Sequence, residues 1–158
     1  MKKIISISAL LLSIASLNVS ANMLSPSDIQ CDQVKKRCTT MVKFVPGAVS
    51  WYITSQAAGN PGLIIRYKDK SGKWVEIVNT NVYSTDLSNK SFGDFIAPVK
   101  GDYQFIFTNV IYLERDTAAI INDNLDNVTV TYQFAGEDGT DGDFNDIYAS
   151  VTWFKRKG

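Results

Sequence analysis

The chain contains no histidine among its 158 residues. It therefore lacks the base of Ser-His-Asp and Cys-His nucleophilic sites, and histidine-containing zinc sites are excluded as well. Without histidine, a bound metal ion must rely mainly on oxygen ligands from side chains and backbone, and a bound ligand can also contact aromatic rings. Charge of one sign is also missing, because 16 basic residues balance 16 acidic ones. That balance is not the basic footprint of a nucleic-acid-binding protein, and no nucleic-acid partner is expected.

Long apolar runs are scarce, and the one that occurs lies at the N-terminus. Two lysines at positions 2 and 3 precede an apolar run over residues 4–16, and residues 19–21 offer a small-residue cleavage site. This pattern predicts a secretory signal peptide over residues 1–21, and hence a secreted or periplasmic protein that begins at Asn22. The run is too short to cross a bilayer comfortably and no second one follows, so no integral membrane segment is expected.

Cysteine is limited to Cys31 and Cys38. An exported chain meets oxidising conditions, so the two residues are predicted to form a disulfide. The closed loop is short, and the expected stabilisation is about 2 kcal/mol. The disulfide would hold together an N-terminal arm over residues 22–40, before a single domain over residues 41–158. A redox role is not favoured, because the CxxC spacing is absent.

Helical periodicity is absent from every long segment, whereas short runs of β-branched and aromatic residues recur between turn residues. Strands are predicted over residues 40–45, 49–54, 63–68, 73–78, 103–109, 127–134 and 147–154. In the last two strands, apolar and polar residues alternate, which indicates half-buried antiparallel strands. The predicted fold class is therefore all-β, an antiparallel β-sandwich.

An acidic loop, residues 136–146 with the sequence GEDGTDGDFND, joins the last two predicted strands. Five of its residues are carboxylates within ten positions, and it contains no lysine or arginine. Three glycines let the backbone turn so that several oxygens can face one point. Six to eight oxygen ligands in a flexible arrangement suit Ca²⁺ better than Mg²⁺. The EF-hand spacing fails, because Asp146 stands where glycine is required. A calcium site is predicted, and a solvated acidic loop is the alternative.

The loop resembles that of the calcium-dependent, fucose- and mannose-binding bacterial lectins of the PA-IIL (LecB) type. Trp153 follows Asp146 by seven residues, as in that family, and the resemblance covers residues 126–158. It implies a sandwich of about nine strands with two calcium ions per site, whose coordination is completed by sugar hydroxyls. It also implies glycans such as fucose or mannose as partners, and a homodimer or higher oligomer.

Site residues follow from the same resemblance. The implied metal ligands are Glu137, Asp141, Asp143, Asn145 and Asp146, together with the C-terminal carboxylate of Gly158 from a partner subunit. Asp143 and Asp146 would bridge the ions, and Asp138 and Asp141 would also hydrogen-bond the sugar, so the sugar-binding set is Asp138, Asp141, Asp143 and Asp146. Asn60, in the segment SQAAGNPG at residues 55–62, is a further candidate ligand if one or two residues are inserted relative to the family. The tail after Trp153 is two residues longer than the family's.

Three functions fit these features. The first is a secreted calcium-dependent lectin without enzymatic activity. The alternative is a non-lectin, calcium-stabilised β-sandwich that acts in adhesion or in a matrix. A glycoside hydrolase is the third, but it needs two carboxylates set apart across a cleft, and five acids in one loop fit a metal better.

Overall fold

The structure, a computed structural model, describes residues 28–57, 59–83, 87–124 and 126–155. The predicted signal peptide and Gly158 lie outside these ranges. Over the described ranges the chain has no helix and forms ten strands: β1 (Gln30–Asp32), β2 (Arg37–Phe44), β3 (Gly47–Ser55), β4 (Gly62–Lys68), β5 (Trp74–Asn81), β6 (Lys90–Ala97), β7 (Gly101–Thr108), β8 (Tyr112–Ile121), β9 (Asn127–Glu137) and β10 (Ile147–Lys155).

The strands form two five-stranded sheets, in the orders β1-β2-β7-β4-β5 and β6-β3-β10-β9-β8. Neighbouring strands pair antiparallel in both sheets. The predicted all-β antiparallel sandwich is therefore confirmed, with ten described strands against the nine or so that the resemblance implied. None of the described segments forms an apolar helix of membrane-spanning length.

The alternation predicted for the last two strands is largely confirmed. In β10 the inward face is buried at Ile147, Ala149, Val151 and Trp153. In β9, Tyr132 and Phe134 are buried, but Val128 is exposed. The ladder between β8 and β9 is irregular at this point, where Ile120 pairs with Thr129 and Ile121 with Asn127. Val128 has no partner in this register, and its side chain leaves the core.

Aromatic rings fill the space between the two sheets. Phe44 and Tyr103 of the first sheet have ring centroids 4.9 Å apart, and Phe107 lies at the same distance from Phe134 of the second sheet. Phe105 meets Phe134 edge-on at 5.8 Å. Such tilted and edge-to-face contacts add to the burial of apolar area in holding two sheets together. The aromatic core thus lies between the sheets, and the loops that connect the strands lie at the two ends of the sandwich.

A buried arginine, Arg115 of β8, contacts residues of both sheets. Only 5% of the Arg115 side chain is exposed, and Nη1 donates to Thr40 Oγ1 at 3.0 Å. The guanidinium also lies 3.8 Å from Asp28 Oδ1 and 5.8 Å from the centre of the Tyr132 ring. Burial raises the pKa of Tyr132 to about 12, and the nearby Arg115 charge opposes that rise.

The first two strands are joined by the predicted disulfide. Cys31 and Cys38 are bonded and face each other in the ladder between β1 and β2. Residues 30–40 of the predicted N-terminal arm thus supply β1 and the start of β2 to the first sheet. The turn between these strands, residues 33–36, lies at the same end of the molecule as the acidic loop.

Candidate metal centre

The acidic loop connects β9 to β10 at one end of the sandwich. Two backbone hydrogen bonds attach it to neighbouring segments. Ile111 N donates to Glu137 O at 2.7 Å, and Gln56 N donates to Asp146 O at 3.3 Å. Within the loop, Asp138 N donates to the side-chain atom Asp146 Oδ2 at 2.7 Å. The loop is therefore held at both of its ends by the β3–β4 and β7–β8 connections.

Glu137 is the structural centre of this loop. Its side chain has no solvent exposure, although it is a carboxylate. Oε1 accepts a hydrogen bond from Gly139 N at 2.9 Å, and Oε2 accepts one from Phe144 N at 3.2 Å. Phe144 adopts the left-handed conformation, with φ of 53°. Among the described residues no basic side chain forms an ion pair with Glu137. A buried carboxylate with two donors and no counter-charge favours a nearby cation.

The carboxylates form two groups that share Glu137. One consists of Glu137, Asp138 and Asp146, and the other of Glu137, Asp141 and Asp143. Within each group one oxygen per residue lies within 4.8 Å of the others. Two oxygens bound to one Ca²⁺ at 2.3–2.6 Å can be at most about 5 Å apart, so both groups fit the spacing of a calcium site. Asn145, bonded through its side chain and its N–H to Asp143, lies beside the second group.

The β3–β4 connection borders the first group. Gly59 packs against Asp138 so closely that a Cβ atom at this position would overlap with Asp138 Oδ2. Asn60 follows in the left-handed conformation, with φ of 55°, and its carbonyl oxygen accepts a hydrogen bond from Asn109 Nδ2 at 3.0 Å. The structure thus brings the segment of Asn60 to the acidic loop. Whether Asn60 and Gly158 are metal ligands stays a prediction.

A basic residue that the sequence did not single out reaches the loop from the opposite sheet. Lys36, in the β1–β2 turn, donates from Nζ to Asp138 O at 3.1 Å. Val110 N donates to Lys36 O at 3.1 Å, which attaches this turn to the β7–β8 connection. Lys36 and Asp138 are 102 positions apart, and no local pattern signals their contact. The acidic loop is therefore bordered by a cation that does not belong to it.

No protein-family model matches this chain, and no curated protein matches it in sequence. Solved structures do share its architecture. Superposition on the Chromobacterium violaceum lectin CV2L, solved with alpha-methyl-fucoside, covers 73% of this chain and 96% of that one, with a TM-score of 0.54 and 15% identity. The chain has the fold of a bacterial lectin.

Two further lectins have the same fold. The Ralstonia solanacearum high-affinity mannose-binding lectin is 17% identical, with a TM-score of 0.50. The C-terminal domain of the BC2L-C lectin from Burkholderia cenocepacia is 15% identical, also with a TM-score of 0.50. Both comparisons cover 73% of this chain and 96% of the lectin. Nearly the whole of each lectin therefore has a counterpart here, while most side chains differ.

Proposed function

We propose that this chain is a secreted, calcium-dependent lectin whose acidic loop binds calcium and, through it, a sugar. The observation that carries the proposal is the pair of carboxylate groups sharing the buried Glu137, each with oxygens within 4.8 Å of one another. These groups lie at the end of a sandwich with the fold of lectins that bind a fucoside or mannose.

Charge supports two ions rather than one. The loop carries five carboxylates, and two Ca²⁺ ions would nearly offset them. Calcium would supply coordination positions at which neighbouring sugar hydroxyls replace water. In this arrangement Glu137, Asp141, Asp143, Asn145 and Asp146 hold the ions, with Asp143 and Asp146 between them.

The residues at the rim orient the sugar in this proposal. Asp138 and Asp141 would accept hydrogen bonds from sugar hydroxyls, since a carboxylate forms stronger hydrogen bonds than a neutral acceptor. Gly59 and Lys36 position Asp138, the first by packing against its carboxylate and the second by bonding its carbonyl oxygen.

Calorimetric titration tests the proposal. The chain is titrated with fucose and with mannose, first in calcium and then in excess EDTA. We expect binding in calcium and no heat in EDTA. Calcium uptake without any sugar binding, here and on a broad glycan array, would contradict the lectin function. Turnover of chromogenic glycosides would contradict the expectation that the chain is not an enzyme.

A structural calcium clamp in an adhesion or matrix protein is the second candidate. The observation that favours it is the complete burial of Glu137, because an ion at that depth stabilises the loop whether or not a sugar is present. This function predicts a rise in melting temperature with calcium and no further rise with any sugar.

Self-association is part of the proposed lectin function. On the outer face of the second sheet, Ile96, Phe154 and Ile120 are 56%, 41% and 65% exposed. The strand registers place them in one row across the sheet, with Ala48 and Thr129 between them. A second copy could bury this row, and a homodimer would present two sugar sites. Sedimentation of the wild type and of Phe154→Lys tests this, with a monomeric wild type contradicting it.

A further inference from the structure

A cleft lies at the end of the sandwich opposite to the acidic loop. It is formed where β2 and β10 end and where β7 and β9 begin, and its volume is about 630 Å³. Phe44 and Trp153, both buried, form its apolar floor. Trp153 Nε1 donates to Val45 O at 2.9 Å, which fixes the indole in place. Clefts of about 300–1,000 Å³ commonly bind small ligands.

Charged side chains of both signs line this cleft. Lys155 and Asp126 neutralise each other, with 2.8 Å between Nζ and Oδ2. Lys43, Lys100 and Asp102 remain, and Lys43 is the cross-strand neighbour of Asp102 in the ladder between β2 and β7. Among the described residues neither Lys43 nor Lys100 forms an ion pair within 4.0 Å, and both are exposed. Two lysines without an ion pair to any described residue therefore line the cleft, together with Asp102.

The neighbouring hairpin adds to the positive potential. Lys68 ends β4, and the turn between β4 and β5 carries two further lysines, Lys70 and Lys73. Its carboxylate, Asp69, is occupied within the turn, because Oδ1 accepts hydrogen bonds from Ser71 N at 2.8 Å and Lys73 N at 2.9 Å. A chain of zero net charge thus has an acidic end and a basic end. Such a field attracts anionic ligands to the basic end.

We propose that this cleft is a second, calcium-independent binding site for an anionic sugar unit. The carboxylate or sulfate of the sugar is held between Lys43 and Lys100, and its hydroxyls donate hydrogen bonds to Asp102 and Asp126. The mixed lining favours a sugar over an anionic membrane, since carboxylates inside the cleft serve hydroxyl groups but repel a layer of phosphates. The site does not use the acidic loop, so a chain that binds sugars at both ends can bridge two glycans.

The test uses oligogalacturonate of four units, titrated into the full chain in excess EDTA. Binding is expected without calcium and is expected to weaken as salt is added, because exposed charges are screened. The double variant Lys43→Gln/Lys100→Gln should bind at least tenfold more weakly than the wild type. Both side chains are exposed, so the melting temperature should remain unchanged.

The matched control is Lys35→Gln/Lys90→Gln, which changes the net charge equally but alters lysines outside the cleft. It should bind like the wild type. Equal weakening in both double variants, or equally tight binding of anionic phospholipid vesicles, would show general electrostatic attraction and overturn the proposal. Binding that requires calcium, or none at millimolar ligand, would overturn it too. Because EDTA abolishes the proposed calcium site, the fucose and mannose titrations succeed or fail independently.

Discussion

Replacing Gly59 by alanine is expected to remove one sugar contact while leaving the carboxylate group of Glu137, Asp141 and Asp143 in place. The added Cβ would overlap with Asp138 Oδ2, which is the end of a side chain that can rotate away. The cost to folding is that of one displaced rotamer, about 0.5–1.5 kcal/mol. The Asp138 carboxylate, however, can no longer occupy its position beside the loop.

The expected loss follows from the role proposed for Asp138. A hydrogen bond to a charged group contributes about 1.5–3 kcal/mol, which corresponds to roughly 10- to 100-fold in affinity. We therefore expect Gly59→Ala to bind fucose or mannose 10- to 100-fold more weakly, and Asp138→Asn to bind no more tightly than Gly59→Ala. Calcium affinity should change less than sugar affinity, because the group of Glu137, Asp141 and Asp143 does not include Asp138.

Calorimetry in calcium measures the sugar affinity of each variant, and thermal unfolding in EDTA measures its stability. Gly101→Ala is the control, because no atom lies within 4 Å of a Cβ built there. It should match the wild type in both assays. If Gly59→Ala binds sugar like the wild type while Asp138→Asn does not, Asp138 acts from a different position and the reasoning is wrong. If Gly59→Ala unfolds many degrees earlier, the overlap is not relieved by rotation.

Three further predictions concern the loop, the disulfide and the core. Asp141→Asn should weaken calcium binding at least tenfold, which lowers the calcium-dependent stabilisation by about 1.4 kcal/mol. Asp123→Asn, an exposed change in another turn, should leave that stabilisation unchanged. Melting curves with and without calcium measure both effects. Replacing Cys31 and Cys38 by serine should lower the free energy of unfolding by about 2 kcal/mol in denaturant titrations, and an unchanged midpoint would contradict it. The pKa of Tyr132 is raised from 10.0 to about 12 in the folded chain, so the neutral phenol stabilises the fold. This contribution to the free energy of unfolding, about 2–3 kcal/mol, is present below pH 10 and is lost as the pH rises towards 12. Tyr132→Phe should not lose this stability at high pH. If the free energies of unfolding of wild type and variant depend on pH in the same way, the prediction is wrong.

The strands that the sequence revealed are those with one buried face. In β10 the alternation survives in the fold, because every second side chain enters the core. The predictions missed β1, an edge strand of the first sheet, and β6 and β8, the edge strands of the second sheet. In β6, Phe92 and Ile96 point to solvent, and in β8 Ile120 does. Hydrophobic residues on an outer face blur the alternation by which a strand is recognised.

By itself, the sequence determined the fold class, the disulfide and the acidic loop between the last two strands. These features depend on alternation, turn residues and redox context within short segments. Only the tertiary structure decided that Gly59 packs against Asp138, that Lys36 reaches the same residue from the other sheet, and that Lys43, Lys100 and Trp153 line one cleft. Such contacts depend on which strands pair and how the two sheets face each other. That choice is made by the packing of the whole core, so no single segment records it.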